Sequence, residues 1–173
     1  MRLTVPDFSL VLMMGATGSG KSSFAARHFR PTEVLSSDRC RGLVSDDETD
    51  QSATADAFDV LHYIAAKRLA ARRLTVLDAT HLRAEDRRRA VELARRFHAL
   101  PVVVALDMSE ALCIERNRAR PDRPFGAQVV RNHVGLLRRS LRGLGREGFD
   151  RPRVSWTAYA TLIAPRCTSS GVL

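Results

Sequence analysis

Apolar residues along this chain fall into two kinds of run that alternate. Short runs without polar alternation read as strands covered on both faces: Phe8 to Met14, Leu74 to Asp78 with its terminal acid, and Pro101 to Leu106. A shorter stretch, Glu33-Val34-Leu35-Ser36, reads as another strand, and Val154-Ser155-Trp156-Thr157 as a last one. Between them lie segments of helical period. Ser22 to Phe29 forms a helix that stops before Pro31. Gln51 to Arg72 repeats Phe58, Leu61, Ala65 and Leu69 as one buried stripe. Ala84 to His98 turns Ala90, Leu93, Ala94 and Phe97 to the core, which leaves Arg87-Arg88-Arg89 as a solvated face. Ser109 caps a short helix that runs to Arg118. After the proline-broken segment Arg120 to Gly126, a helix from Ala127 to Arg146 carries Val130, Val134, Leu137, Leu141 and Leu144 on one side, and Gly148 ends it. Strands alternating with helices predict a parallel α/β sheet. With 173 residues, no internal repeat and no linker, one domain is expected.

The turn between the first strand and the first helix reads Gly15-Ala16-Thr17-Gly18-Ser19-Gly20-Lys21-Ser22, which matches G-x-x-x-x-G-K-[ST]. Its flanks are the ones the chemistry needs. Glycines let the backbone turn its N–H groups inward, and the following helix N-terminus adds partial positive charge. Lys21 can then reach the β- and γ-phosphates, and the Ser22 hydroxyl can ligate Mg²⁺. Ser23 is the next residue at the mouth of the loop. Binding of a nucleoside triphosphate, ATP with Mg²⁺, is the expectation.

Charge narrows the acceptor. The formal net charge of +9 favours polyanions such as nucleic acid, although arginine-rich composition alone produces the same surface. Lysine occurs only at positions 21 and 67, so the lysine in the loop stands out. Aromatic residues make up 6% of the chain, too few for a broad single-strand stacking platform. No apolar stretch approaches membrane-spanning length, and Met1 to Asp7 carries no signal-peptide pattern. Cys40, Cys113 and Cys167 are odd in number and far apart, which argues against a disulfide framework or zinc site and for a reducing, cytoplasmic setting. Nothing in the surface pattern demands an oligomer.

Two acids follow strands. Asp78 suits a Mg²⁺-holding acid, with a turn aspartate as the plain alternative. Asp38 can accept the proton of an attacking hydroxyl, or simply cap the next segment. Arg41 shares a face with Asp38 if that segment is helical; it can clamp an acceptor phosphate or form a surface pair. Arg116, Arg118, Arg120 and Arg123 flank the proline-broken segment, where they can stabilise a migrating phosphoryl group from a lid or decorate an exposed helix. His62 reads as a core or surface histidine, and His81 has no assignable role.

Several of these stretches resemble the kinase module of bacterial polynucleotide kinase-phosphatase: Gly15 to Ser22, Ser36 to Asp47, Ala57 to Ile64, Leu74 to Thr80 and Gly143 to Phe149. The resemblance spans residues 8–150. It implies an adenylate-kinase-like P-loop fold, with a parallel sheet flanked by helices and a small helical lid at about 113–130, in one kinase domain over 1–157. It implies transfer of the ATP γ-phosphoryl to the 5′-OH of RNA or DNA with Mg²⁺. Carried over, Lys21 and Ser22 bind triphosphate and metal, Asp38 is the general base, and Arg41 holds the phosphate 3′ to the acceptor nucleoside. Arg116, with Arg120 and Arg123, belongs to the lid, and Gln51 and His62 contact the acceptor. The family's usual metallophosphoesterase and ligase-like modules do not fit in this length, and residues 158–173 do not resemble its ending. Two other readings stay open: a small-molecule kinase on the same fold, and a non-catalytic nucleotide-dependent RNA-binding module.

Overall fold

The computed structural model describes residues 5–120 and 125–149, and the backbone of Val154 and Ser155. Its frame is a parallel sheet of β1 (Ser9–Gly15), β2 (Val34–Ser36), β3 (Thr75–Asp78), β4 (Leu100–Leu106) and β5 (Val154–Ser155), in the spatial order β2-β3-β1-β4-β5. The expected Trp156 and Thr157 end of the last strand lies outside the described residues. All seven residues of β1 are buried, as a central parallel strand requires. Its alternate side chains feed two cores. Leu10, Leu12 and Met14 join the larger one; Val11 and Met13 join the other.

The helices are α1 (Lys21–His28), α2 (Ser37–Ser45), α3 (Thr54–Ala70), α4 (Ala84–Arg96), α5 (Glu110–Arg118) and α6 (Ala127–Gly143). The larger core takes Leu61, Ala65 and Leu69 from α3, Ala90 and Ala94 from α4, and Leu137 from α6. The smaller takes Ala25 of α1, with Phe29 just after it. The polar segment after β2 forms α2, because the Ser36 hydroxyl accepts from the Arg39 N–H and caps it. Ser109 caps α5 in the same way. Gln51 to Ala53 form a 3-10 turn before α3, and Leu144 to Arg146 another after α6. Gly148 follows at φ 84°, the left-handed stop that glycine provides.

Two core expectations need correction. On α3 the buried stripe is Ala57, Leu61, Ala65 and Leu69; Phe58 is turned about 100° away and only half-buried. On α4, Arg87 is not solvated. It shares the inward face of Ala90, Val91 and Ala94 and is 1% exposed. Its charge is met by a two-pronged pair with Glu147, at 2.6 Å (Nε–Oε2) and 2.7 Å (Nη2–Oε1). Arg88 and Arg89 do remain exposed. Cys40 and Cys113 are buried free thiols; Cys167 lies outside the described residues. Among the described residues, no helix is long and apolar enough to cross a membrane.

Truncation of Leu61, fully buried in the larger core, to alanine is expected to cost about 2–5 kcal/mol. Tyr63, two residues on and 65% exposed, should change stability by less than about 0.5 kcal/mol when truncated. Urea unfolding of both variants, read as midpoints at constant slope, checks the contrast.

Candidate functional site

Register brings the chemistry together. Ser36 lies beside Asp78, and Asp78 beside Met13, so the carboxyl ends of β2, β3 and β1 are adjacent. Strands about 4.8 Å apart place Asp38, Asp78 and the phosphate loop within roughly 10 Å of one another. A cleft of about 850 Å³ opens there. Thr17, Gly18, Gly20, Lys21 and Ser22 line its donor end; Asp38, Arg41, Gln51 and Phe58 line the other; Asp78 and Arg120 lie between.

The loop is built for an anion. Gly18 and Gly20 adopt φ 80° and 91°, which a β-carbon strongly disfavours. A β-carbon on Gly18 would also collide with the Cys113 carbonyl oxygen, so the loop is pressed against α5. No side chain caps the start of α1 and no acid occupies its first turn, leaving its N-terminus to a ligand. Lys21 donates to the Gly15 and Ala16 carbonyls at 3.0 and 2.9 Å. Burial lowers its pKa to about 8, against the opposing pull of Asp78 and Asp38. Ala16 and Ser19 are buried in the wall of the loop, whereas Ser23 is exposed on α1 outside the cleft lining.

Asp78 is buried, and burial raises its pKa; the Ser22 hydroxyl and Lys21 act against that rise. Ser22 and Asp78 thus bring a hydroxyl and a carboxylate together at the cleft, two oxygens that could hold Mg²⁺. Among the described residues no group of three or more His, Cys, Asp or Glu could hold a metal.

At the opposite end, Arg41 donates to Asp38 Oδ1 at 2.9 Å and to the Glu48 carbonyl at 2.7 Å. Its side chain is 5% exposed and that of Asp38 37%, so this is no surface pair. Arg41 Nε is buried without a hydrogen-bond partner among the described residues. Gln51 lines the cleft. His62 does not: it packs behind Phe58 at 5.9 Å between ring centroids, and it is Phe58 that faces the cleft. Arg120 reaches the cleft wall; Arg116 instead approaches Gly20, its Nη1 lying 3.5 Å from where a β-carbon there would sit. Arg123 lies outside the described residues.

Further lining residues escaped the sequence reading. Arg83 comes from just before α4, Asp86 and Arg89 from α4, and Val129, His133 and Leu136 from α6. His133 Nδ1 lies 3.1 Å from the Thr17 hydroxyl, a bond between the phosphate loop and α6. Burial, then Lys21, depress the His133 pKa and favour the neutral ring. The period of α6 signalled its buried face, but nothing in it marked the adjacent face as a cleft wall.

Lys21 loses its proton in the free protein near pH 8, while a bound triphosphate would hold that proton on. Affinity therefore falls as pH rises through 8, about tenfold between pH 7 and 9. Calorimetric titration of ATP across this range should show the slope, and Lys21→Met should bind weakly with no slope.

The AAA domain family model (AAA_33) matches residues 10–144. No curated protein matches the chain. Among solved structures, a chain of the Pnkp1/Rnl/Hen1 RNA repair complex superposes with TM-score 0.68 at 19% identity, over 80% of this chain and 47% of that one. This chain thus spans about half the length of that protein. A candidate kinase from Chloroflexus aurantiacus gives 0.62 at 17% identity, over 87% and 88%. The Mycobacterium tuberculosis APS kinase CysC, solved with AMPPNP and APS, gives 0.53 at 22%, over 87% and 90%. At these identities the likeness is one of fold. With its strand–loop–helix phosphate cradle on a parallel sheet, the chain has a P-loop kinase-like fold and belongs to the AAA domain family.

Proposed function

We propose that this chain is an ATP-dependent 5′-hydroxyl polynucleotide kinase acting on RNA or DNA ends, with residues 1–157 as its kinase domain. The observation that carries the reading is Arg41. It is a buried guanidinium beside Asp38, with an unpartnered Nε, in the cleft that also holds the phosphate loop. A hydroxyl bound at Asp38 would have an anionic neighbour within reach of Arg41, which is what the 5′ end of a polynucleotide presents. The net charge of +9 and the shared fold with Pnkp1 of an RNA repair complex add support.

In this mechanism Asp38 accepts the 5′-OH proton as the oxygen attacks the γ-phosphorus in line. The bond to the β-bridging oxygen breaks, and ADP leaves. Lys21 shifts from its own loop carbonyls to the β- and γ-phosphates, and the α1 N-terminus faces the phosphate chain. Ser22 and Asp78 would hold Mg²⁺, which supplies charge neutralisation on the phosphates. Arg120 and Arg116, with Arg123, would screen the migrating group and exclude water as part of a lid at about 113–130. Gln51 would contact the acceptor; Phe58 offers it a ring that His62 does not.

A second reading has its own observation. In the acceptor half, Asp59 and Asp86 stand beside Arg83 and Arg89, so that part of the cleft is locally balanced and would suit a small polar hydroxyl substrate.

Labelled γ-phosphate should pass from ATP to a 5′-OH oligonucleotide in the presence of Mg²⁺. Asp38→Asn should lower kcat by about 10²–10⁴-fold with ATP affinity kept. Arg41→Ala should chiefly raise the KM for the oligonucleotide, and for the unsubstituted protein that KM should climb steeply with salt. Labelling of a small hydroxyl compound but no oligonucleotide would favour the second reading. ATP binding with transfer to neither would point to the non-catalytic module.

A further inference from the structure

The turn at the end of β3, Asp78-Ala79-Thr80-His81, is tied to the phosphate loop, to the strand that leads into it and to the start of α2. The Thr80 carbonyl accepts from the Gly15 N–H at 3.2 Å, the first residue of the phosphate loop. The Asp78 carbonyl accepts from the Ser37 hydroxyl at 3.4 Å, the residue before Asp38. His81 Nδ1 donates to the Met13 carbonyl at 2.8 Å, on the strand that leads into the loop. The His81 carbonyl accepts from Arg87 Nη1 at 2.8 Å, and Arg87 is itself gripped by Glu147.

His81 does this at a cost. It is 1% exposed and sits at φ 45°, a left-handed conformation uncommon outside glycine, with asparagine, aspartate and histidine its more frequent exceptions. His81 Nε2 is buried without a hydrogen-bond partner among the described residues. Core packing alone does not call for a buried imidazole with one idle nitrogen and a strained backbone. The Nδ1–H bond to Met13 supplies a reason: it fixes the ring and, through it, the end of the turn whose other end is Asp78.

We infer that His81 is a positioning residue for the metal-holding pair Ser22 and Asp78, with Arg87 and Glu147 as its brace. The inference rests on the kinase reading. His81 does not line the cleft and acts from behind it. It holds the turn at one distance from the phosphate loop, so that the Asp78 carboxylate and the Ser22 hydroxyl meet the same cation. Loss of its Nδ1–H lets the turn drift from β1 and separates those two oxygens. Asparagine should replace it. Its amide nitrogen is bonded to Cγ as Nδ1 is in histidine, so the donor stands in the same place, and asparagine tolerates the left-handed region.

The test is the Mg²⁺ dependence of ATP binding, read by calorimetry on the full chain without any acceptor. In His81→Phe, which keeps a flat aromatic ring, somewhat larger than imidazole, and removes the donor, half-saturation by Mg²⁺ should rise about tenfold or more. Affinity for ATP without Mg²⁺ should stay within about twofold of the unsubstituted protein, and His81→Asn should restore the Mg²⁺ response. Unchanged Mg²⁺ half-saturation in folded His81→Phe would overturn the inference, and so would equal losses in His81→Phe and His81→Asn. Should His81→Phe not fold, Glu147→Gln takes its place. That change weakens the brace from its partly exposed end, and an Mg²⁺ response no different from the unsubstituted protein would then refute the role. If the unsubstituted protein binds no ATP at all, the kinase reading fails, and this one with it.

Discussion

The whole site depends on the parallel ladder that β1 makes with β3 on one side and β4 on the other. Parallel strands all deliver their carboxyl ends to the same edge of the sheet, where helix N-termini and loops emerge together. Because β2 lies beyond β3, the order puts the end of β2 next to Asp78 and the end of β1 next to that. Three segments far apart in sequence thus meet at one edge, where the bonds from Ser37 to the Asp78 carbonyl and from Gly15 to the Thr80 carbonyl tie them together. The complete burial of β1 is what makes this frame rigid, since its side chains anchor cores on both faces.

Three buried cations near this edge show how differently the fold treats charge. Arg87 is fully matched by a carboxylate and a carbonyl, and it serves the architecture. Arg41 shares one carboxylate and one carbonyl and keeps an idle Nε. Among the described residues, Lys21 has only loop carbonyls for direct hydrogen-bond partners, and burial loosens its hold on the proton. An incompletely compensated buried charge is destabilising unless a ligand completes it. The gradient from Arg87 to Lys21 therefore runs from structural to ligand-seeking, and it points into the cleft.

Much of this was legible in the chain. Continuous apolar runs gave the three longer strands, β1, β3 and β4, and the glycine-lysine turn gave the loop, because each rests on local chemistry: burial on both faces, and φ angles that favour glycine. The Asp38–Arg41 pair was legible as a spacing but not as a buried one, since Glu48 closes over it from outside the helix. What stayed hidden depends on which helix face meets which neighbour. Arg87 looked solvated because its partner, Glu147, is sixty residues away in the chain. Phe58 looked like core because it lies three residues from Leu61, yet the boundary between core and cleft falls between it and Ala57. His133 and His81 gave no signal, because their bonds to Thr17 and Met13 exist only once the sheet has formed.

Gly18 illustrates how closely binding and packing are merged in this loop. Its φ of 80° serves the turn, and its bare α-carbon lies against the backbone of Cys113 in the helix that carries Arg116. Backbone, unlike a side-chain tip, has nowhere to swing aside. In terms of mutational tolerance the position is closed even to alanine, because one methyl group would lift α5 from the loop and carry its arginine along. The glycine thus acts as a spacer that sets how near the arginine helix may come, and a chemist seeking to prise the two apart would find no smaller wedge than a single carbon.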